Sequence, residues 1–224
     1  MSKLEELIQE LCPNGVEYRR IADVTVVGRG KRVVREQLSQ SEGYPVYQNS
    51  LTIMGYHFES NYPAGTSFVI GAGAAGEVGY SDERFWAADD CFPVVGNDIL
   101  LDRYIYHNLM WKKDFLMSRV RKASVPRLSR SVIENLIIPV PPLPVQQEIV
   151  RILDSFTELT AELTAELTAR KKQYEYYRNE LLKFSNATQW KTLGDIGKIS
   201  MCKRIMKDET NTEGGIGRND YAKL

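Results

Sequence analysis

The sequence predicts an α+β protein in which a β-rich domain precedes one long helix of the coiled-coil type. Between Val16 and Val140, short runs of β-branched and aromatic residues alternate with glycine-rich segments, which is typical of short strands joined by turns. Between Val145 and Phe184 there is neither glycine nor proline, and apolar side chains recur every three or four residues. That spacing is typical of a single long amphipathic helix.

The elements follow in order along the chain. A first helix is predicted over 3–11, because four leucine or isoleucine side chains share one face and Pro13 and Gly15 end the pattern. A helical insertion is predicted over 99–117. The long helix, predicted over 143–184, has a length of about 60 Å at about 1.5 Å per residue. The predicted strands are 24–27, 45–48, 67–70, 92–95 and 136–140.

Size and composition limit the classes of protein to which the chain can belong. Its 224 residues suit one domain with an appendage, or two small domains. With 29 basic and 29 acidic residues, it is not dominated by a basic or an acidic tail. Cys12, Cys91 and Cys202 form no C-x-x-C pair, so we expect a reducing, cytoplasmic environment. Neither a signal peptide nor a membrane span is predicted.

Motifs for catalysis are scarce. Gly71–Gly76 matches G-x-G-x-x-G literally, but a dinucleotide site requires a helix next, and the following EVGYSDERFW has no helical periodicity. We therefore predict a tight turn between two strands, with cofactor binding as the less favoured alternative. His57 and His107 form no metal-ligand spacing with the cysteines. No catalytic residue, metal or cofactor is predicted.

Charge is unevenly distributed along the chain. Residues 15–35 hold six basic and two acidic side chains, and residues 112–130 hold seven and one, whereas 36–111 hold two and ten. If the two basic segments converge, they form a positive surface suited to phosphates; the alternative is a pair of solvated loops. The predicted phosphate contacts are Arg29, Lys31 and Arg32, and the predicted base or stacking contacts are Gln48, Asn49, Ser50, Arg84, Trp86, Lys122 and Arg127. For Trp86 and its neighbour Phe85, a place in the core is the favoured interpretation, with base stacking as the other.

The long helix carries one apolar stripe, and a helix of this length requires a partner helix to cover it. The alternative is a helix that packs on its own domain. Within the helix, TAEL occurs twice in succession, at 160–163 and 164–167. One further copy would lengthen the helix by about 6 Å and rotate its C-terminal part by about 40°. The stripe residues are Phe156, Leu159, Leu163, Leu167, Tyr174, Tyr177 and Leu181.

A second repeat relates the two ends of the chain. Residues 18–36 align without a gap on 190–208, at an offset of 172. The aligned positions include Asp23 with Asp195, and Lys31-Arg32 with Lys203-Arg204. This similarity indicates a duplicated unit whose second copy is incomplete.

The segment VPRLSRSVIENLIIPVPPLPVQQEIVRILDSF at 125–156, the opening LCPNGVEYRRIADV and the TAEL repeats resemble the specificity subunit (HsdS) of type I restriction–modification systems. The resemblance implies two recognition domains in a complete subunit, each followed by a long helix. The two helices pair antiparallel, each domain reads half of a bipartite DNA target, and the methyltransferase and nuclease are separate subunits. The implied domains are an N-terminal helix and turn at 1–14, a target-recognition domain at 15–141, a spacer and dimerisation helix at 142–185, and a truncated second recognition domain at 186–224.

From this resemblance we expect a non-catalytic subunit that binds double-stranded DNA and directs methyltransferase and nuclease/translocase subunits to it. The chain has one recognition domain, so a second copy is the expected partner of its long helix. The alternative is a coiled-coil scaffold whose β-rich domain binds protein. A salt-sensitive affinity for duplex DNA distinguishes the two.

Overall fold

The computed structural model describes residues 2–184, 189, 191–198 and 200. The chain divides into two units, Met1–Glu166 and Leu167–Leu224. The first unit contains the sheets and the hydrophobic core, and the second contains the end of the long helix and one short helix. A β-rich region followed by one long helix is the architecture predicted from the sequence, so the α+β fold class is confirmed.

Helix α1 extends over Lys3–Leu11, as predicted. A capping box begins it: the Ser2 hydroxyl accepts a hydrogen bond from the Glu5 amide at 3.3 Å, and the Glu5 carboxylate accepts one from the Ser2 amide at 2.8 Å. The chain leaves the helix through a turn at Gly15, whose φ of 88° suits glycine.

Eight short strands form three small sheets within the described residues. The strands are β1 (Tyr18–Arg20), β2 (Tyr44–Tyr47), β3 (Tyr56–His57), β4 (Thr66–Ile70), β5 (Val78–Ser81), β6 (Trp86–Ala87), β7 (Cys91–Val94) and β8 (Ile137–Pro139). The strand orders are β1-β8, β3-β2-β6 and β5-β4-β7. All these pairs are antiparallel except β2 with β6.

Four of the five predicted strands are confirmed, at β2, β4, β7 and β8. The predicted strand at 24–27 is wrong, because Val24 ends a short helix, α2 (Ile21–Val24). Ile21 and Val24 lie three residues apart, so one helical turn places both in the core, where they are 1% and 6% exposed. Val27 makes only an isolated bridge to Val94.

Strand β4 lies at the centre of the core, and all five of its residues are buried. Alternate side chains of a strand point to opposite faces. Phe68 and Ile70 accordingly pack in one hydrophobic cluster with Phe85, and Val69 packs in the larger cluster that contains α2 and Leu109. Burial of Phe85 agrees with the core interpretation for that residue.

The remaining helices are α3 (Asp102–Trp111), α4 (Lys113–Ser118), α5 (Arg130–Glu134), α6 (Leu143–Leu181) and α7 (Leu193–Ile196), with a 3₁₀ turn at Arg35–Gln37. The helical insertion predicted over 99–117 is confirmed as the pair α3 and α4, and the long helix is confirmed as α6, three residues shorter than predicted. Among the described residues, no helix is both long and apolar enough to cross a membrane.

The two short helices α2 and α7 support the internal duplication. They begin at Ile21 and Leu193 and end at Val24 and Ile196, so both ends keep the offset of 172 seen in the sequence. Their surroundings differ, because Leu193 is 75% exposed whereas Ile21 is buried. Most of the predicted second domain (186–224), including Trp190 and Lys203-Arg204, lies outside the described residues.

A buried glutamine fixes the start of α6 to the rest of the first unit. The Gln146 side chain is fully buried, and its amide oxygen accepts a hydrogen bond from the Leu101 amide at 3.0 Å. Its amide nitrogen donates to the carbonyls of Ile99 and Pro141, each at 2.8 Å. A buried side chain with every polar atom paired specifies one geometry for the junction.

We expect Gln146→Ala to lower the free energy of unfolding by about 3 kcal/mol, because it leaves buried backbone groups without partners and opens a small cavity. Denaturant titration followed by circular dichroism measures the change. Gln147→Ala is the matched control, since Gln147 is exposed and its loss should cost about 0.5 kcal/mol or less. Equal effects of the two substitutions would show that the junction does not depend on Gln146.

Candidate nucleic-acid interface

The two basic segments converge in the fold. Arg29 from the first segment and Arg127 and Arg130 from the second lie around one cavity of about 340 Å³. We call this cavity the arginine cleft. Its other lining residues are Gly71, Asp89, Asp90, Phe92 and Leu128.

Two glycines place Arg29 at the cleft. The Gly28 amide donates to the Pro93 carbonyl at 2.6 Å, and the Gly30 amide donates to the Cys91 carbonyl at 3.0 Å. A β-carbon at Gly30 would collide with the Ala88 carbonyl, so this close approach to the strands requires glycine. The segment therefore lies along the domain while the Arg29 side chain stays exposed.

Arg127 belongs to a small loop that we call the basic hairpin, residues 121–127. Arg121 and Arg127 exchange both backbone hydrogen bonds, at 2.8 and 3.2 Å, and so close the loop that contains Lys122. All seven residues are exposed. The loop is held at its base, where the Leu128 amide donates to the Gly71 carbonyl at 2.7 Å and Leu128 is buried.

Several of these cations are free to bind an external anion. Within the described parts of the chain, no carboxylate oxygen lies within 4.0 Å of the charged atoms of Arg29, Lys31, Arg32 or Lys122. Arg127 is 4.0 Å from Asp90, with a side chain 67% exposed. A pair so long and so exposed contributes little, which leaves the guanidinium available.

The predicted loop 48–50 lies beside the basic hairpin. The Asn49 carbonyl accepts a hydrogen bond from the Ala74 amide at 2.9 Å, and the Gly73 amide donates to the Pro126 carbonyl at 3.2 Å. Asn49 is exposed, whereas Gln48 and Ser50 are half-buried. The Ser50 hydroxyl accepts from the Thr52 amide at 3.2 Å, so it also holds a local turn.

Arg84 and Trp86 are held by contacts of their own. The Arg84 guanidinium donates to the Ser60 hydroxyl at 3.0 Å and lies over the ring of Tyr44. The Trp86 indole donates to the Lys31 carbonyl at 2.9 Å, and its ring centre lies 4.2 Å from that of His57. Trp86 is half-buried and Arg84 is exposed. Their contact with DNA stays a prediction.

The G-x-G-x-x-G segment is the tight turn predicted from the sequence. It joins the antiparallel strands β4 and β5, and the Ile70 amide donates to the Glu77 carbonyl at 2.9 Å across the turn. A strand follows it, not the helix that a dinucleotide site requires. In the described part of the chain, no group of three or more His, Cys, Asp or Glu side chains is placed to hold a metal ion.

The predicted stripe of α6 is exposed to solvent. The exposure of its seven side chains ranges from 49% for Leu159 to 74% for Leu181. The alternative, a helix that packs on its own domain, therefore describes only the beginning of α6. The buried residues of the helix are Val145, Gln146 and Glu148.

Two polar clusters that involve α6 were not predicted from the sequence. The Asp154 carboxylate accepts hydrogen bonds from Arg103 Nε, at 2.9 and 3.2 Å, and lies 2.8 Å from His107 Nε2. Burial alone would raise the pKa of Asp154, but the hydrogen bonds from Arg103 and His107 outweigh it and lower the pKa. His107 and Asp154 are 47 residues apart, and nothing in the sequence pairs them.

In the second cluster, Glu148 is 3% exposed and lies 2.6 Å from Arg151 and 3.0 Å from Lys3. Hydrogen bonds from Arg151 and then from Lys3 lower the pKa of Glu148 from 4.5 to about 2. The contact with Lys3 ties α1 to the start of α6.

Comparisons with known proteins identify the family to which this chain belongs. A family model described as the type I restriction modification DNA specificity domain matches residues 13–170. The chain belongs to this family. The match covers the arginine cleft, the basic hairpin and most of α6.

Curated relatives agree with the family. The chain is 35% identical to a putative type I restriction enzyme specificity subunit of Haemophilus influenzae over 231 residues, covering 95% of this chain and 57% of that one. It is 33% identical to a putative type I specificity subunit of Mycoplasma pneumoniae over 192 residues, covering 80% and 51%. A 57-residue stretch is 66% identical to the EcoR124I/EcoR124II specificity subunit of Escherichia coli, covering 25% and 14%. The chain spans about half the length of the first two relatives.

Solved structures show the same fold. A type I restriction-modification S subunit from M. genitalium matches with a TM-score of 0.59 at 19% identity, covering 75% of this chain and 46% of that one. The HsdS subunit from Thermoanaerobacter tengcongensis matches with a TM-score of 0.55 at 17% identity, covering 73% and 44%.

The lowered pKa of Glu148 predicts a loss of stability in acid. A carboxylate whose pKa is lower in the folded state stabilises the fold above its unfolded pKa, and this contribution disappears as the pH falls from about 4.5 to about 2. We expect Glu148→Gln to show a shallower decline of unfolding free energy over that range than the unchanged protein. Denaturant titrations at a series of pH values measure the slopes, and parallel slopes would contradict the prediction. Glu158→Gln, at an exposed position of the same helix, is the control.

Proposed function

We propose that this chain is the non-catalytic DNA recognition subunit of a type I restriction–modification complex. The observation that carries the proposal is the convergence of the two basic segments on one surface, in a member of the specificity family. Cations without a nearby carboxylate attract phosphates and release their counterions, which gives a salt-dependent affinity for DNA.

In this proposal, phosphate contacts and base contacts come from neighbouring loops. Arg29, Lys31 and Arg32 bind phosphates on one side of the surface. The basic hairpin, through Lys122 and Arg127, lies beside the 48–50 loop, whose Asn49 is exposed. Asparagine and glutamine pair with adenine through two hydrogen bonds, and arginine pairs in the same way with guanine. Arg84 and Trp86 complete the proposed set.

We further propose that a second copy of the chain covers the stripe on α6. Antiparallel pairing of identical helices is two-fold symmetric, so it forms a closed dimer. Such a dimer carries two identical recognition domains and reads an interrupted palindrome. The spacing of its halves follows the length of α6, including the number of TAEL repeats. The dimer works in the cytoplasm with the methyltransferase subunits and the nuclease/translocase subunit.

The DNA proposal is tested by the salt dependence of binding. We expect the double substitution of Lys31 and Arg32 by Ala to weaken binding to all duplexes and to reduce the slope of log K against log salt by about 0.9 for each lost contact. Fluorescence anisotropy with labelled duplexes at several salt concentrations measures the slope.

The matched control is the double substitution of Lys171 and Lys172 by Ala, which removes the same charge from an exposed part of α6. The same reduction of slope in both double variants would show a general charge effect. No salt-dependent binding by the unchanged protein would favour the scaffold alternative.

The dimer proposal is tested by sedimentation. We expect the unchanged chain to sediment as a dimer at micromolar concentration and the Leu159→Glu, Leu163→Glu double variant to sediment as a monomer. The control is Ala161→Glu, because residue 161 lies on the opposite face of the helix from the stripe. All three positions are exposed, so the substitutions should leave the fold intact. A monomeric unchanged chain would contradict self-pairing and would make the methyltransferase subunit the expected cover of the stripe.

A further inference from the structure

The contacts between α6 and its own domain end at one residue. Ile149, Val150 and Asp154 are partly buried, and Ile149 and Val150 pack against the core. From Ser155 to Phe184 every residue of the chain is exposed. Asp154 is therefore the last point at which the described first unit holds the helix.

Asp154 accepts hydrogen bonds from two side chains of α3, Arg103 and His107. We call the three residues the Asp154 cluster. Arg103 is itself held, because its guanidinium lies 4.5 Å from the ring centre of Tyr80 and 4.8 Å from that of Tyr106. The side chains of the cluster are between 11% and 30% exposed, so water screens them only in part.

The helix that carries Arg103 and His107 is packed into the core. Tyr104, Ile105, Asn108 and Leu109 of α3 are all buried. The Asn108 side chain donates to the Tyr104 carbonyl at 2.9 Å. The donors of the cluster are thus fixed relative to the core, and their directional hydrogen bonds limit how far α6 can tilt or rotate. Apolar contacts such as those of Ile149 restrict the orientation of the helix less sharply, because the hydrophobic effect is non-directional.

We propose that Asp154, Arg103 and His107 are positioning residues that fix the direction in which α6 leaves the recognition domain, and that they thereby restrict the dimer to one spacing between its two DNA half-sites. This inference rests on the proposed function. It adds a second determinant of spacing to the length of the helix.

The size of the domain determines how precisely the direction of α6 must be fixed. A domain of this length is about 30 Å across, from the usual scaling of the radius of gyration. A rotation of about 10° at the junction moves its far side by about 5 Å, which exceeds the rise of one base pair, about 3.4 Å. A single allowed spacing therefore requires a junction held to within a few degrees.

The test combines two measurements on Asp154→Ala, with Glu158→Gln as the control on the same helix. The first is the distribution of distances between spin labels on unnatural amino acids at Asp82 and Ala161, both exposed and both in the first unit. Dilution with unlabelled protein removes distances between copies. The second is the affinity for duplexes that carry the two half-sites at a series of spacings.

We expect the unchanged protein and the control to give a narrow distance distribution and to prefer one spacing at least tenfold. Asp154→Ala should broaden the distribution and reduce that preference to about twofold or less, with an unchanged preference for the half-site sequence. His107→Phe keeps a ring beside Tyr106 and removes one hydrogen bond. It should give an intermediate result and serves as the second variant if Asp154→Ala fails to fold.

Other results overturn the inference. A narrow distribution in both variants shows that the hydrogen bonds of Gln146 and the apolar contacts are sufficient to fix the helix. A broad distribution with an unchanged spacing preference shows that the spacing is set elsewhere. If the unchanged protein binds no spaced pair of half-sites, the proposed dimeric recognition fails, and the inference fails with it. An unchanged protein that prefers one spacing, with variants that keep the same preference, contradicts only the role of the Asp154 cluster.

Discussion

The backbone of the turn between β4 and β5 holds the loops of the candidate interface together. The Gly71 amide donates to the Asp90 carbonyl at 2.6 Å, and the Gly71 carbonyl accepts from the Leu128 amide at 2.7 Å. The turn also bonds to Asn49 and Pro126. A β-carbon at Gly71 would collide with the ring of Phe92, so a larger residue there would force that ring to move. The segment whose sequence matches G-x-G-x-x-G thus holds three other loops in place, those that contain Asn49, Asp90 and Pro126.

In α6, polar and apolar side chains between Val145 and Asp154 form the junction with the domain, and every residue from Ser155 to the end of the helix is exposed. Exposed leucines and tyrosines in a continuous stripe are unfavourable in water and become stabilising when another apolar surface covers them. In the proposed dimer, pairing uses the exposed stripe of α6, whereas the direction of the helix depends on Gln146 and Asp154. The proposed association and the proposed geometry of the helix therefore rest on different residues, which mutation can change separately.

Sequence periodicity predicted most of the secondary structure but little of the site's internal arrangement. It predicted α1, β4 and α6, because each has a long or regular apolar pattern. It failed at 24–27, where β-branched residues favoured a strand but burial of Ile21 and Val24 on one turn selected a helix. The sequence could not show whether the two basic segments converge. Their convergence depends on contacts between residues far apart in the chain, such as the hydrogen bond from Leu128 to Gly71. The Asp154 cluster could not be predicted, because nothing in the sequence pairs Arg103 and His107, one helical turn apart on α3, with Asp154 on another helix 47 residues beyond His107.

The distribution of ion pairs explains how a chain with no net charge can offer a positive surface. Several acidic groups are engaged inside the domain: Glu77 lies 2.7 Å from Lys113, and the Asp102 carboxylate accepts from the Gly96 amide at 2.6 Å. Among the described residues, Arg29, Lys31, Arg32 and Lys122 have no carboxylate within 4.0 Å, whereas Arg127 lies 4.0 Å from Asp90 and Arg130 lies 3.0 Å from Glu134. Interactions between exposed charges are largely screened beyond about 8–10 Å at ordinary ionic strength, so a bound phosphate responds to the nearby arginines and lysines more than to the total charge. The acidic stretch 36–111 contributes Asp89 and Asp90 to the arginine cleft, where they face Arg29, Arg127 and Arg130, so the cleft keeps an excess of positive charge.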